Sequence, residues 1–312
     1  MASGLEKLKE QIKELGFGSK AFSGRLINKQ GGFNVNHKGA GLKSFSPYHW
    51  LINMHWFYFI FVIIGSYVMI NLIFAVLYLW AGTEQLSNYQ EGSGLDDFLH
   101  CFYFSTQTLT TVGFGTISPI GHLTNIIASF EAMIGLLSFA LATGILYGRF
   151  SKAKAKILFS DNALISPYQD IKGFMFRITN MRKNHLIEMS ARLVYSYLIQ
   201  EDGVTKRKYR QLELEIDFIN MFPLPWTIVH PLDGESPIKG KKSLDFAREE
   251  AEFLVILKGY DDTFNQYVHQ VYSYRHDEIV FDAKFEPMFY EVPGKKTIVH
   301  IDRINDFRKV FD

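Results

Sequence analysis

The sequence predicts a fold in two parts, an α-helical membrane module followed by an all-β domain. Two stretches, 51–80 and 121–148, contain one charged residue between them, Glu131, and each is long enough to cross a bilayer. Between them the chain becomes apolar again, over too few residues for another pair of crossings. In the second half, short runs alternate apolar and charged residues between turn signals, a pattern typical of strands. The length of 312 residues is typical of about two domains.

We interpret the two uncharged stretches as spanning helices. A helix over 56–80 would be about 37 Å long, against a hydrocarbon core of about 30 Å. The second stretch, 121–150, would reach about 45 Å as one helix, so we expect its end to project from the membrane. The alternative, two buried helices of a large soluble protein, is disfavoured by the length and purity of both stretches.

The basic residues indicate the orientation. No Lys or Arg occurs between Leu51 and Gly148; eight of the 33 precede that window and the other 25 follow it. Basic residues concentrate on the cytoplasmic side of membrane proteins. We therefore expect both termini in the cytoplasm and the segment between the spans outside.

Composition and motifs exclude several classes of function. The formal charge of +1 gives no reason to expect nucleic acid as a partner. The single cysteine, Cys101, excludes an intrachain disulfide and a cysteine-based zinc cluster. The first 20 residues mix Lys and Glu without an apolar core, unlike a secretory signal peptide. The sequence has no nucleophile elbow, phosphate loop or metal-spaced histidine set, so a soluble enzyme domain is disfavoured and no cofactor is expected.

The segment between the spans predicts a pore. It contains the apolar run LDDFLHCFYFSTQTLTT, which ends at Thr111. We expect a half-crossing helix over 95–108, followed by extended backbone. Non-helical backbone at membrane depth is tolerated where it lines a water-filled cavity.

The loop TTVGFG, Thr110–Gly115, has the backbone that a dehydrated cation would require. Gly113 and Gly115 permit a conformation that turns successive carbonyl oxygens toward one axis. The half-helix would point its partially negative C-terminal end at the cavity. Because one chain supplies one strand, a ring of four is needed to surround an ion, and the expected ligands are the carbonyls of Thr111, Val112, Gly113 and Phe114. The alternative is a glycine turn in a soluble loop.

These residues resemble those of a known family. TVGFG resembles the TVGYG signature of potassium channels, with Phe114 where tyrosine is commoner. No further span and no arginine-rich helix is present, which excludes voltage sensing by that route. Segments that resemble inward-rectifier potassium channels are KQGGFNVNHKG (29–39), SPYHWLINMHW (46–56), NMRKNHLIEMSARL (180–193) and DEIVFDAKFEPM (277–288). EAMIGLLSFALATGILYGRFSKAKAK (131–156) resembles the inner helix of the prokaryotic members, and the resemblance covers roughly residues 25–307.

The resemblance implies a homotetramer in which each chain has a pore module and an immunoglobulin-like cytoplasmic sandwich. RQLELEIDFI (210–219) alternates apolar and acidic residues, as expected of a half-buried strand in an antiparallel β-sandwich. The implied division is a cytoplasmic N-terminal segment (1–45), an interfacial slide helix (46–55), a pore domain (56–151) and a cytoplasmic β-sandwich (152–312). Within the pore domain the expected parts are an outer helix (56–80), a pore helix (95–108), a filter (110–115) and an inner helix (121–150).

The resemblance also implies roles for residues around the pore. Glu131, a costly carboxylate in an apolar span, is expected to support the filter backbone by hydrogen bonds, and Gln107 takes the place of a second supporting glutamate. Phe139 lies at the cavity position where strong rectifiers bind polyamines and Mg2+ through a carboxylate, and Tyr147 lies at the bundle-crossing gate. For these two, packing against helices or lipid is the alternative. Two inner-helix glycines, Gly135 and Gly144, are expected to be bending or close-packing points.

Further roles are expected on the cytoplasmic side. Glu188 and Asp262 match acidic residues that face the cytoplasmic pore in the family and would attract cations. Solvated surface carboxylates are the alternative. A basic cluster that follows the second span is expected to attract anionic lipid headgroups, or to be only a topology signal: Arg149, Lys152, Lys154 and Lys156.

Together these expectations describe an inward-rectifier-type channel in the inner (plasma) membrane that conducts K+ passively, with no covalent chemistry. Ba2+, Mg2+ or polyamines are the expected blockers. Gating would couple the cytoplasmic domains to the inner-helix bundle through the slide helix and the basic linker. One alternative is a poorly selective cation channel, if Phe114 and Gln107 loosen the filter. Another is a membrane-anchored ligand sensor whose pore does not conduct.

Overall fold

The computed structural model describes residues 24–29, 31–32, 34, 38–39, 41, 45–89, 92–153, 155–182, 184–201, 203–290, 294 and 296–310. The chain divides into two compact units. One comprises residues 39–152, and the other joins residues 1–38 to residues 153–312. Most of the predicted N-terminal segment, 1–45, lies outside the described residues.

The first unit is helical. Its α-helices are α1 (Pro47–Asn53), α2 (Trp56–Ala81), α3 (Gly94–Leu109) and α4 (His122–Phe150), with a 3-10 turn at Thr83–Gln85. Helix α1 is shorter than the predicted slide helix, 46–55, because Met54 and His55 are extended and the ring of His55 caps α2 by accepting from Phe57 N. Helix α2 ends at Ala81 and is capped by Gly82, whose φ of 102° is accessible to glycine at little cost.

Helices α2 and α4 are long and apolar enough to cross a membrane. Their side chains are mostly exposed in the single chain; Phe57, for example, is 70% exposed. Core helices of a soluble protein would show the opposite pattern. The short helix α3 packs between α2 and α4 through a buried cluster that includes Phe74, Tyr78, Cys101 and Phe104. This arrangement confirms the predicted membrane module.

The second unit is an all-β sandwich. Its strands are β1 (Ile157–Phe159), β2 (Ala163–Tyr168), β3 (Ile171–Asn180), β4 (Leu186–Glu201), β5 (Val204–Leu212), β6 (Phe218–Met221), β7 (Trp226–Pro231), β8 (Glu252–Asp261), β9 (Gln266–Arg275), β10 (Ile279–Phe281), β11 (Ala283–Phe285), β12 (Phe289–Tyr290), β13 (Ile298–Val299) and β14 (Phe307–Lys309). One short helix, α5 (Ser243–Arg248), and two 3-10 turns, His276–Glu278 and Ile301–Arg303, complete the described elements.

Two five-stranded sheets face each other across one core. The first has the order β1-β3-β2-β10, with β7 also on β3; the second has the order β5-β4-β8-β9, with β6 also on β4. Rings from both sheets stack in the core, with 4.3 Å between the centroids of Phe174 and Phe253. The predicted sandwich is confirmed, but it is not wholly antiparallel, because β10 pairs with β2 in parallel.

The expected single strand over RQLELEIDFI is wrong. Strand β5 ends at Leu212 and strand β6 begins at Phe218. Between them Glu215 N donates to Val229 O of β7 at 3.0 Å, and Asp217 O accepts from Ala191 N of β4 at 2.8 Å. The backbone of this segment forms hydrogen bonds with one sheet and then with the other. Apolar and acidic side chains therefore alternate here although the segment is not a continuous strand of either sheet.

Residues 24–29 form a strap across the outer face of the second sheet. Leu26 and Ile27 are buried against a patch made by Val194, Tyr209, Leu254 and Val271. The carboxylate of Glu252 accepts from Leu26 N at 2.9 Å and from Ile27 N at 3.3 Å. Nothing in the sequence pattern predicts this layer.

Candidate functional site

The loop after α3 alternates the handedness of its backbone. Thr111, Gly113 and Gly115 have positive φ values of 58°, 52° and 78°, while Val112 and Phe114 between them do not. In an ordinary strand successive carbonyls point to opposite sides, whereas this alternation keeps them on one side. Thr111 is the residue that bears strain, because positive φ is uncommon for a β-branched side chain.

The amide hydrogens of the loop are directed at the end of α3, chiefly at Gln107. Val112 N and Gly113 N donate to Gln107 O at 3.0 and 3.2 Å. Phe114 N donates to the side-chain atom Gln107 Oε1 at 3.1 Å. Thr111 N donates to Thr108 O at 3.0 Å. None of these hydrogen bonds uses the carbonyl oxygens of the loop, which leaves them available as cation ligands.

The outer end of the loop is tied to the segment that follows α2. Ser87 N donates to Ser118 O at 2.8 Å, and Ser118 N donates to Ser87 Oγ at 2.8 Å. Asn88 Nδ2 donates to Thr116 O at 2.5 Å, and Ile120 N donates to Gln85 O at 2.8 Å. Sequence reasoning missed these anchors, because small polar residues on exposed loops give no signal of their partners.

The side chain of Glu131 bonds to the neighbouring helices and not to the backbone of the loop. Its side chain is fully buried, and it accepts from Tyr78 Oη at 2.6 Å and from Ser105 Oγ. Ser105 Oγ also lies 3.0 Å from Asn71 Oδ1, so the carboxylate joins α4 to α2 and α3. The expected hydrogen bonds to the filter backbone are absent from the described residues. Glu131 supports the helix that carries the loop, because its neighbours are polar side chains of the adjoining helices.

The two inner-helix glycines differ in their surroundings. A Cβ on Gly135 would collide with the carbonyl oxygen of Leu109, the last residue of α3. Gly144 has open space around the same position. Helix α4 continues through both residues. Gly135 is therefore a close-packing point against the half-helix, and Gly144 has no such contact.

Phe139 and Tyr147 project from α4. Their side chains are 76% and 73% exposed in the single chain. Phe139 borders a groove of about 750 Å³ that also reaches Thr110 and Thr111 at the base of the loop. The geometry thus connects the predicted cavity residue to the predicted filter within one subunit.

Arg149 is engaged inside the helical unit. Its guanidinium donates to the carbonyl oxygens of Leu51, Ile52 and Met54 at the end of α1, at 2.8 Å in the case of Met54. The same group lies 4.7 Å from the ring centroid of Trp56 and 4.4 Å from that of Phe59.

The guanidinium of Arg149 thus holds α1 against the end of α4, a contact that the sequence did not predict; its expected role in lipid binding stays a prediction. Lys152 Nζ donates to Asn53 Oδ1, while its side chain and that of Lys156 remain exposed. Lys154 lies outside the described residues.

The two acidic residues expected in the cytoplasmic pore occupy neighbouring parts of the second sheet. Glu188 lies in a bulge of β4 with φ of 50° and accepts from Tyr267 Oη at 3.2 Å. This hydrogen bond raises the pKa of the Tyr267 phenol. Asp262 follows β8, and its amide donates to His185 O at 3.4 Å. Both side chains are exposed, and the described residues contain no cluster of His, Cys, Asp or Glu that could hold a metal ion.

Two family models match this chain. Residues 157–311 match the inward rectifier potassium channel C-terminal domain, and residues 57–152 match an ion channel model. The two matches together cover most of both units.

Known proteins match over long ranges. The chain is 32% identical over 285 residues to the inward rectifier potassium channel Kirbac3.1 of Paramagnetospirillum magnetotacticum, covering 90% of this chain and 95% of that protein. It is 28% identical over 207 residues to inward rectifier potassium channel 4 of Homo sapiens, covering 63% of this chain. The chain spans about half the length of this mammalian relative, 46%.

The similarity of this chain to solved structures is too weak to indicate its fold or function. The sporulation control protein Spo0M of Bacillus subtilis matches 42% of this chain and 50% of its own, at 16% identity; the TM-score of 0.24 is too low to support a shared fold.

The long match to a bacterial channel, the two family models and the membrane module all indicate the same family. The chain belongs to the prokaryotic inward-rectifier potassium channel family, whose members are ion channels and not enzymes.

Proposed function

We propose that four copies of this chain surround a pore in which the carbonyls of Thr111, Val112, Gly113 and Phe114 select K+. One observation carries this proposal: the loop alternates positive and other φ values while its amides bond to the end of α3. Such a strand presents bare carbonyl oxygens, and four of them around an axis replace the hydration shell of an ion. Conduction is passive and needs no cofactor; K+ is the permeant ion.

Assembly as a homotetramer is supported by the exposure of the loop. The side chain of Phe114 is 78% exposed in the single chain, and a cleft of about 360 Å³ opens behind it. The cleft is lined by Tyr67, Tyr103, Thr106, Gln107, Thr110, Val112, Phe114, Thr116 and Ile117. A second copy seated there would cover apolar surface that a single chain leaves exposed at the filter.

The gate is proposed at Tyr147, where four exposed phenol rings could close and dewet the pore. Arg149 lies two residues further along and holds α1, which makes α1 part of the gate. Lys152, Lys154 and Lys156 are the proposed contacts with anionic lipid headgroups. In this proposal the chain lies in the inner (plasma) membrane with both termini in the cytoplasm.

The carboxylates of Glu188 and Asp262 are proposed to line the cytoplasmic part of the pore and to attract cations, including the blockers Mg2+ and polyamines. Both are exposed on the β unit. Ba2+ would instead compete with K+ at the carbonyl ligands. At the cavity Phe139 offers no charge, so strong block there is not expected.

The test is a reversal potential measured in planar bilayers with K+ on one side and Na+ on the other. We expect a strongly K+-selective potential for the wild-type channel and loss of selective current for Gly113→Ala, whose φ of 52° disfavours a Cβ. A wild-type potential near zero with measurable current would mean a poorly selective cation channel. Assembly of the tetramer without current in any lipid mixture would favour the non-conducting sensor.

A further inference from the structure

The outer face of the second sheet has a covered half and an open half. The strap covers the half around Leu254 and Val271. Side chains alternate along each strand, so residues two apart share this face. Its open half carries exposed polar and charged side chains: Glu188, Arg192, Lys258, Tyr267 and His269.

One aromatic ring in the open half joins a cation to a carboxylate. The Nζ atom of Lys258 lies 4.3 Å from the ring centroid of Tyr267. The hydroxyl of the same ring donates to Glu188 Oε2 at 3.2 Å. Lys258 forms no ion pair within 4.0 Å among the described residues, so no adjacent carboxylate cancels its charge.

The backbone fixes these positions. The bulge in β4 places Glu188 outward, while the next residue, Met189, is buried against Gly259, where a Cβ would collide with its sulfur atom. In the sheet Lys258 is flanked by Ser190 on β4 and by His269 on β9. Lys258 and Glu188 are therefore held on one face, at neighbouring places of adjacent strands.

We infer that Lys258 is a built-in counter-charge which weakens the binding of cationic blockers at the Glu188 face of the cytoplasmic pore. The inference deepens the proposed function and rests on it, since Glu188 must face the pore. At physiological salt the Debye length is about 8 Å, so a charge one aromatic ring away from the carboxylate is only partly screened. Fourfold repetition places four such lysines around the same axis, and a polyvalent cation experiences all of them.

The test compares variants that change one charge each. Spermine or Mg2+ is perfused on each side of single channels in planar bilayers, and the half-blocking concentration is measured. Lys258→Gln should bind the blocker at least about three-fold more tightly, while Lys258→Arg, which keeps the charge and the stacking, should block as the wild type does. Lys284→Gln removes an exposed lysine from β11 and is the matched control, with no expected change. Glu188→Gln should raise the half-blocking concentration, because it removes the carboxylate that attracts the blocker.

Two results would overturn the inference: equal block in Lys258→Gln and Lys284→Gln, or tighter block in Lys258→Arg. High ionic strength should shrink the effect of Lys258→Gln, as screening requires. Failure of the proposed function is distinguishable, because wild-type protein would then pass no selective K+ current. In that case spermine titration of the full-length protein by calorimetry compares the same variants without any current, and equal affinities there would refute the inference.

Discussion

Gln107 is the residue on which the geometry of the proposed filter strand, residues 110–115, depends most. Its backbone oxygen accepts from two loop amides and its side-chain oxygen accepts from Phe114 N. Gln107→Ala keeps the backbone acceptor but removes the side-chain acceptor of Phe114 N, and a typical hydrogen bond contributes about 1 kcal/mol. We expect the Rb+/Na+ permeability ratio to fall by at least about five-fold, the equivalent of about 1 kcal/mol.

Gln107→Glu is the control, because a carboxylate oxygen can accept the same hydrogen bond. Liposome uptake of both ions checks the pair of variants. An unchanged ratio in Gln107→Ala would show that the side-chain hydrogen bond does not hold the filter.

The two glycines of α4 give a matched pair of substitutions. Gly135→Ala forces a Cβ onto Leu109 O, and overpacking of this kind costs about 1–3 kcal/mol. Gly144→Ala meets nothing and should be neutral, or stabilising by about 0.5–1 kcal/mol through helix propensity. Thermal unfolding of the purified assembly measures both. Equal losses of stability would contradict the assigned packing.

At the scale of residues, the sequence singles out candidate side chains but does not predict their partners. The motif TTVGFG can be recognised in the sequence because its two glycines lie in an uncharged loop between two spans. Glu131 stands out in the sequence as a carboxylate in an apolar span, but its partners, Tyr78 and Ser105, depend on the rotation of three helices about their axes. Gly135 and Gly144 are indistinguishable in sequence, because only packing separates them.

At the scale of elements, Arg149 separates two accounts of the basic linker. If its function is to hold α1 by a forked set of hydrogen bonds, Arg149→Lys keeps the charge but loses the fork. We expect Arg149→Lys to alter the open probability about as strongly as Arg149→Gln. A lipid-binding role would instead leave Arg149→Lys near the wild type.

Single-channel recording in bilayers with and without anionic lipid checks this, and Lys152→Gln and Lys156→Gln serve as comparison variants. These two should change the dependence on anionic lipid more than Arg149→Lys does. Full retention of wild-type gating in Arg149→Lys would contradict the structural account.

The strap gives a dependence of stability on pH. Burial alone would raise the pKa of Glu278, but hydrogen bonds and charge from Arg25, Arg275 and Lys29 hold the pKa below its usual value. Arg25 contacts the Glu278 carboxylate with two nitrogens at 3.0 Å. A depressed folded pKa contributes stability above the unfolded pKa, near 4.5, and that stability is lost as pH falls through the folded value.

We therefore expect Glu278→Gln to lower the melting temperature at pH 7, with the difference from wild type shrinking as the pH drops below about 4. Glu235→Gln, an exposed residue of a loop, is the control and should change little at either pH. Differential scanning fluorimetry measures both variants. A difference that stays constant from neutral to acidic pH would refute the assigned ion pair.

The sequence predicted the elements that a long apolar stretch marks. It did not predict contacts between residues that are far apart in the chain. Both spanning helices followed from long apolar stretches, the first without a charged residue and the second with Glu131 alone before Arg149. The strap was missed because two apolar residues, Leu26 and Ile27, bind to strands that lie more than 160 positions later. The break in RQLELEIDFI was missed because alternation reports exposure and not hydrogen-bond partners.

At the scale of the whole molecule, the single chain is an incomplete object. Val112, Phe114, Phe139 and Tyr147 are all exposed in it, on the parts of the helical unit that would surround an axis. The sequence already indicated that several chains must assemble, since the single strand of carbonyls in one chain cannot enclose an ion. Assembly of several chains is consistent with the family of this chain and with its long similarity to a bacterial inward rectifier.

The most direct test of a K+-selective carbonyl filter is cation uptake by liposomes that contain the purified wild-type protein. Rb+ and Na+ uptake are compared, each with and without Ba2+. We predict Rb+ uptake that Ba2+ blocks and Na+ uptake no greater than in protein-free liposomes. Equal uptake of Rb+ and Na+ would contradict the account.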